Sequence, residues 1–104
     1  MHPLRMAVRH CGEGTPLVFL HGTGGSGAHW FRLAKVLPIT GKIMCPDLVG
    51  FGHTPRWPGP GELELADQVR YLRSIIKRTD AGPAHIVGHC YGAALAVRLY
   101  CAHP

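Results

Sequence analysis

The segment Gly88-His89-Cys90-Tyr91-Gly92 restricts the fold more than any other part of the chain. It joins a short apolar β-type run, His85–Gly88, to an apolar helical segment, Tyr91–Ala102. A strand that passes into a helix through so few residues must turn sharply. Glycine at 88 and 92 suits such a junction, because strand and helix crowd each other there and a side chain would intrude. The pattern is G-x-S-x-G with cysteine in place of serine, in the strand–turn–helix context that motif requires. The central side chain would stand clear of the sheet, at a helix N-terminus that favours a thiolate and an oxyanion. A lone cysteine is more often a small buried apolar residue. The paired glycines and the flanking elements favour a nucleophile instead.

The rest of the chain supplies a matching framework. Leu4–His10 reads as a short strand and Pro16–His21 as a buried one, from its continuous β-type apolar character. Gly22–Gly27 is a glycine loop. Ala28–Leu37 reads as a helix, with Trp30, Leu33, Ala34 and Leu37 at i, i+3, i+4 and i+7. Lys42–Cys45 is a strand, and Asp47–Gly61 a Gly/Pro-rich loop. Glu62–Arg78 is a helix with Leu65, Val69, Leu72 and Ile76 as its apolar stripe. Its acids lie early and its bases late, as the helix dipole favours. Arg70, Arg73 and Lys77 fall on another face, which reads as solvated. The last helix, Tyr91–Ala102, is apolar nearly all round and is expected to be buried. The order β, β, α, β, α, β, α predicts an α/β domain over 1–104: a mostly parallel sheet with helices on both faces.

A second motif competes for the functional reading. Gly22-Thr23-Gly24-Gly25-Ser26-Gly27 matches G-x-G-x-x-G after a strand and before a helix, and Asp47 follows 20 residues beyond Gly27. That is the dinucleotide-binding arrangement, with Asp47 placed for a ribose hydroxyl. It would make the chain a nicotinamide- or flavin-binding module using Gly22, Gly24, Gly27 and Asp47. The loop fails as a phosphate-binding P-loop, because Ala28-His29 stands where Lys-Ser/Thr is needed. The dinucleotide reading leaves the 88–92 turn and Gly50-Phe51-Gly52 without a role. An acyl-transfer reading uses both, and lets the first loop supply a backbone N–H to an oxyanion.

Composition narrows the classes further. The formal net charge is +5, but the basic residues are spread from Arg5 to Arg98, which gives nucleic-acid binding little support. The longest apolar run, Ala93–Val97, is far too short to cross a bilayer. Met1–Gly14 carries no apolar segment of the secretory type. The four cysteines show no C-x-x-C spacing and read as free thiols of a cytoplasmic protein. His85 and His89 lie about 13 Å apart if extended, too far to share a metal, so no metal site is expected.

With these segments the chain resembles the α/β-hydrolase superfamily along nearly its whole length. The carriers are PLVFLHGTGGSGAHW at 16–30, CPDLVGFGHTP at 45–55 and HIVGHCYGAALAVRLYCAHP at 85–104. They are similar to that family's His-Gly oxyanion loop, its Asp-x-x-Gly-x-Gly turn, and its nucleophile elbow with the following helix. The resemblance implies that Cys90 is the nucleophile. It implies that Tyr91 and Thr23, with Gly24 as a near substitute for Thr23, give the backbone oxyanion donors. His21, Gly22, Gly88 and Gly92 then shape the motif, and Asp47 is a turn residue rather than a catalytic acid. DLVGFGHTPR is similar to carbon–carbon bond hydrolases and lactonases of aromatic catabolism. Most members carry Ser or Asp at the nucleophile; cysteine resembles dienelactone hydrolases and polyhydroxyalkanoate synthases. Ala93 stands where glycine is common.

The implied substrate is a small ester, lactone or related carbonyl compound, with no cofactor, nucleic acid or membrane partner. The family's catalytic acid and histidine follow later strands, and none of the eight histidines here matches the latter. His89 occupies the turn's x position, where its side chain is expected to point away from Cys90. The cap that sets substrate choice is not found either. The sequence thus reads as the N-terminal half of such a domain, a fragment expected to be inactive alone. It is expected to self-associate or to need a complementing C-terminal fragment.

Overall fold

The second strand, buried on both faces, organises the molecule. In the computed structural model, which describes residues 5–38, 40–55, 61, 63–79 and 83–102, the strands are β1 (Val8–Cys11), β2 (Pro16–Leu20), β3 (Lys42–Pro46) and β4 (His85–Gly88). The helices are α1 (Gly27–Ala34), α2 (Leu65–Arg78) and α3 (Tyr91–Ala102). The sheet order is β1-β3-β2-β4. β2 runs parallel to both β3 and β4, with Val18 opposite Met44 and Leu20 opposite Gly88, and β1 pairs antiparallel with β3. This is the mostly parallel α/β sheet that the sequence predicts.

Successive side chains of a strand point to opposite faces, and the core divides accordingly. Phe19, Ile43 and Cys45 pack with Ala34 of α1 on one face. Val18, Leu20, Met44 and Leu48 pack with Val69 and Leu72 of α2 and Leu95 and Leu99 of α3 on the other. Helices cover both faces, as expected.

Several boundaries differ from the sequence reading. The first strand lies at Val8–Cys11 rather than Leu4–His10, and Leu4 falls outside the described residues. α1 ends at Ala34, not Leu37: Val36 and Leu37 donate to Leu33 and Ala34, three residues back, and tighten the last turn. Leu33 and Leu37 are consequently exposed, and α1 packs through Gly27, Trp30, Phe31 and Ala34 instead. α2 begins at Leu65, capped by Glu64, whose side chain and that of Asp67 form a reciprocal capping box; Glu62 lies outside the described residues. α3 has the predicted span, but its surroundings do not cover it all round. Leu95 and Leu99 are buried, whereas Val97 and Tyr100 are 63% and 62% exposed. β4 has a sheet partner on one side only among the described residues, so nothing there packs over that half of α3.

Candidate active site

The parallel pairing of β2 with β4 brings the loop after each strand to the same, carboxyl end of the sheet, where open α/β sheets form their clefts. The 21–26 loop leaves β2 through a turn closed by Gly25 N–H donating to Gly22 O at 3.0 Å. Gly24, at φ 83°, takes the left-handed third position that such a turn requires. The His89-Cys90 turn leaves β4 beside it. His89 N–H donates to Leu20 O (3.1 Å), tying the turn to β2. Gly92 N–H donates to His89 O (2.9 Å), tying it to α3.

Close approach explains both glycines of this turn. A Cβ on Gly92 would collide with the carbonyl oxygens of Leu20 and His21, and one on Gly88 with the backbone of Gly92 and Ala93. Cys90 sits at φ 54° and is the one non-glycine residue in the left-handed region among the described residues. Such a conformation costs of order 1–2 kcal/mol for a residue with a Cβ. The Cys90 side chain is exposed, not a buried apolar filler. It opens on a cleft of about 550 Å³ together with Thr23, Gly24, His29, Leu33 and His89.

His89 departs from expectation. Its ring does not point away: Nε2 lies 3.5 Å from Cys90 Sγ. The ring also rests on the neighbouring loop, for a Cβ on Gly22 would lie 3.3 Å from His89 Nδ1 and 3.2 Å from Cys90 Cβ. Sequence adjacency was the available signal, but the side-chain direction depends on that loop.

The remaining cysteines differ in kind. All four thiols are free. Burial pushes the Cys45 thiol up to about 12, with Cys11 adding to the shift and Arg9 opposing it, so Cys45 is unreactive core. Among the described residues, no group of three or more His, Cys, Asp or Glu side chains could hold a metal ion. No helix there is long and apolar enough to cross a membrane.

His21 is buried, and both ring nitrogens are engaged. Nδ1 lies 2.8 Å from Gly22 O, and Nε2 accepts from Leu48 N–H at 3.0 Å. That pattern requires the neutral ring with its proton on Nδ1. The Phe51 ring packs edge-on against it, 5.3 Å between centroids.

Asp47, at the end of β3 with β2 between it and the turn, is fully buried, and its carboxylate is consumed internally. Oδ1 accepts from Gly27 N–H (2.7 Å) and Arg9 (3.0 Å), and Oδ2 from His53 N–H (2.9 Å) and Arg9 (3.2 Å). Burial alone would raise its pKa. The His53 and Gly27 amides and then the Arg9 guanidinium outweigh that and hold it below the ordinary carboxylate value. Gly52, at φ 54°, leaves no room for a Cβ beside this carboxylate, whereas Gly50 is set by its left-handed φ of 88° alone. Two supports were not legible in the sequence. Thr54 Oγ1 donates to Asp47 O and accepts from Ala7 N–H. Gln68, buried in the stripe of α2, bonds both backbone groups of Val49.

A sheet-end cleft beside a strained strand–turn–helix, with a glycine loop facing it, places the chain among α/β proteins with a mostly parallel sheet. Residues 15–104 match the family described as the alpha/beta hydrolase fold. The chain belongs to that family. It is 36% identical over 85 residues to "Lipase LipV" of Mycobacterium tuberculosis, covering 82% of this chain and 31% of that protein. It is 31% identical over 99 residues to a 2-hydroxymuconate semialdehyde hydrolase of Pseudomonas putida, covering 89% of this chain and 34% of the relative. Among solved structures, a marine microorganism esterase superposes with a TM-score of 0.86 at 29% identity, covering 98% of this chain and 38% of the esterase. The chain thus spans about a third of the length of these relatives.

Proposed function

We propose that the chain carries hydrolase-type chemistry, acyl transfer through Cys90. The observation that carries this reading is the Cys90 conformation: an exposed thiol on a left-handed residue between two sterically required glycines, facing a cleft. A fold gains nothing in stability from such strain, and strain of this kind clusters at functional sites. Cys90 would attack an ester, lactone or related carbonyl, giving a thioester that water or another acceptor resolves. The Thr23 or Gly24 amide and the Tyr91 amide would receive the developing oxyanion. Similarity to a lipase, an esterase and a carbon–carbon bond hydrolase supports carbonyl substrates without choosing among them.

The contacts of Asp47 speak against the dinucleotide reading. The Asp47 oxygens already accept from three groups, and one of these is Gly27 N–H at the N-terminus of α1, where a pyrophosphate would lie. The test is acylation by p-nitrophenyl acetate with peptide mapping. A thioester on Cys90, absent in Cys90→Ala, is the expected result. Labelling elsewhere, or tight NADH binding lost in Asp47→Ala, would overturn the reading.

A further inference from the structure

We propose that the cleft between α2 and α3 binds a small ligand carrying two or more phosphate groups. The proposal is independent of Cys90, because the cleft is lined by the flanks of two helices and by no residue of the 21–26 loop or the 88–92 turn.

Arg70, Arg73 and Lys77 form one stripe of α2. Alone, such a stripe is an ordinary solvated helix face. What changes its meaning is α3, whose Arg98 faces the same cleft, a space of about 470 Å³. Four cations from two helices therefore surround one space, and no Asp or Glu lines it. Ala66, Ser74 and Ala102, which complete much of the wall, are small and leave the space open. Its volume falls within the range of small-molecule sites, about 300–1,000 Å³.

The cations lack counter-charges of their own. Arg70 pairs with Asp67 at 3.1 Å, but that carboxylate also accepts from Glu64 N–H in the capping box of α2. Arg73, Lys77 and Arg98 have no ion pair among the described residues. Bases elsewhere are better provided for: Arg9 lies on Asp47, and the Lys35 ammonium sits over the Phe31 ring. Arg70 and Arg73 are i, i+3 neighbours and Arg73 and Lys77 i, i+4 neighbours, spacings at which like charges repel. Arg98 adds a further positive charge from across the cleft. An anion held between the helices turns this repulsion into attraction.

The donor set selects phosphate. Each arginine fork can donate in parallel to two oxygens of one phosphate, and Lys77 adds a point charge. The Ser74 hydroxyl is a neutral donor on the same helix face. Arg70 and Lys77 are seven residues apart, about 10 Å along the axis. The charges are thus strung out beyond the reach of a single phosphate and suit a linked pair or more.

The experiment is calorimetric titration of the 104-residue chain with pyrophosphate, ADP, orthophosphate and a short DNA duplex. Salt of about 0.15 M screens long-range attraction to the net charge. Pyrophosphate and ADP should each bind one per chain, and orthophosphate at least about tenfold more weakly, the loss expected for one charge-assisted hydrogen bond. Equal affinity for pyrophosphate and ADP assigns recognition to the phosphates alone, and tighter ADP adds its nucleoside; both support the site. Arg73→Gln with Arg98→Gln, one from each helix, should weaken pyrophosphate at least about 100-fold with circular dichroism unchanged. Ser74→Glu, which sets a carboxylate in the cleft, should abolish binding. Arg32→Gln with Lys35→Gln removes the same charge from α1, on the opposite face of the sheet, and should change affinity less than about twofold. Equal weakening by this α1 pair means attraction to net charge and overturns the site. Orthophosphate as tight as pyrophosphate, or no binding of pyrophosphate and ADP, overturns it too. A duplex that binds tighter than ADP and is lost in the Arg73 and Arg98 variant gives the cleft to a polynucleotide and overturns the small-ligand assignment.

Discussion

Replacing Asp47 by alanine should cost the fold about 3–5 kcal/mol, the range for breaking a buried ion pair from one side. The parts of that figure are visible in its contacts. The Gly27 amide is buried at the start of α1 and would be left without an acceptor, a loss of about 1–3 kcal/mol. The His53 amide is nearer solvent and adds about 1 kcal/mol, since water can replace the carboxylate there. The Arg9 side chain is 30% exposed and can rehydrate, so its pair with Asp47 contributes no more than about 1 kcal/mol. In urea, with a slope of about 1–3 kcal/mol/M for a domain of this size, the midpoint should fall by about 1–5 M. Trp30 fluorescence and circular dichroism would report it.

The charge itself has a separate signature. The folded pKa of Asp47 lies below its unfolded value of about 3.9. The unfolded chain therefore binds a proton first as pH falls. The stabilisation is complete above that range and is lost as pH drops through the folded value. Asp47→Asn, which keeps the shape, should trail the wild type at pH 6, and the gap should narrow as pH falls below the unfolded value of about 3.9 and on through the lower folded one. A midpoint shift below about 0.5 M in Asp47→Ala, or a wild-type-to-Asn difference independent of pH, would refute the argument.

Cys90→Gly should raise stability by about 1 kcal/mol, because glycine takes φ 54° without strain, and should abolish acylation; a destabilised variant would show that the conformation is not strained. Gly92→Ala should cost about 3 kcal/mol by chemical denaturation, since its Cβ would meet the Leu20 and His21 carbonyls and force α3 off the sheet. The 104-residue chain should self-associate in sedimentation through Val87, Val97 and Tyr100 beside the open edge of β4, and Val97→Lys with Tyr100→Glu should shift it toward monomer. A wild-type chain that sediments as a monomer at all concentrations would remove that surface from consideration.

What the sequence determined by itself was local and periodic. Gly88 and Gly92 flank a turn whose tightness needs them, and alternation of short β-type runs with helical stripes defines a parallel α/β sheet. Those features depend on residues close in the chain, so a linear reading reaches them. The extents of the helices were less legible. α1 stops where it runs past the sheet, although Leu33 and Leu37 continue its period, because burial rather than periodicity decides where an apolar face ends. For the same reason the composition of α3 did not foretell its exposed side: Val97 and Tyr100 are covered only if something packs beyond β4. Asp47 illustrates the larger gap. Its motif marked it as a turn residue or a ribose-binding acid, and only the antiparallel pairing of β1 with β3 brings Arg9, 38 residues away, onto its carboxylate. His89 is the sharpest case. It stands next to Cys90 in the chain, yet its ring reaches the sulfur because the Gly22 loop arrives from a neighbouring strand and occupies the space on its other side. Adjacency is a property of sequence, but the direction of a side chain is settled by what else fills the space around it.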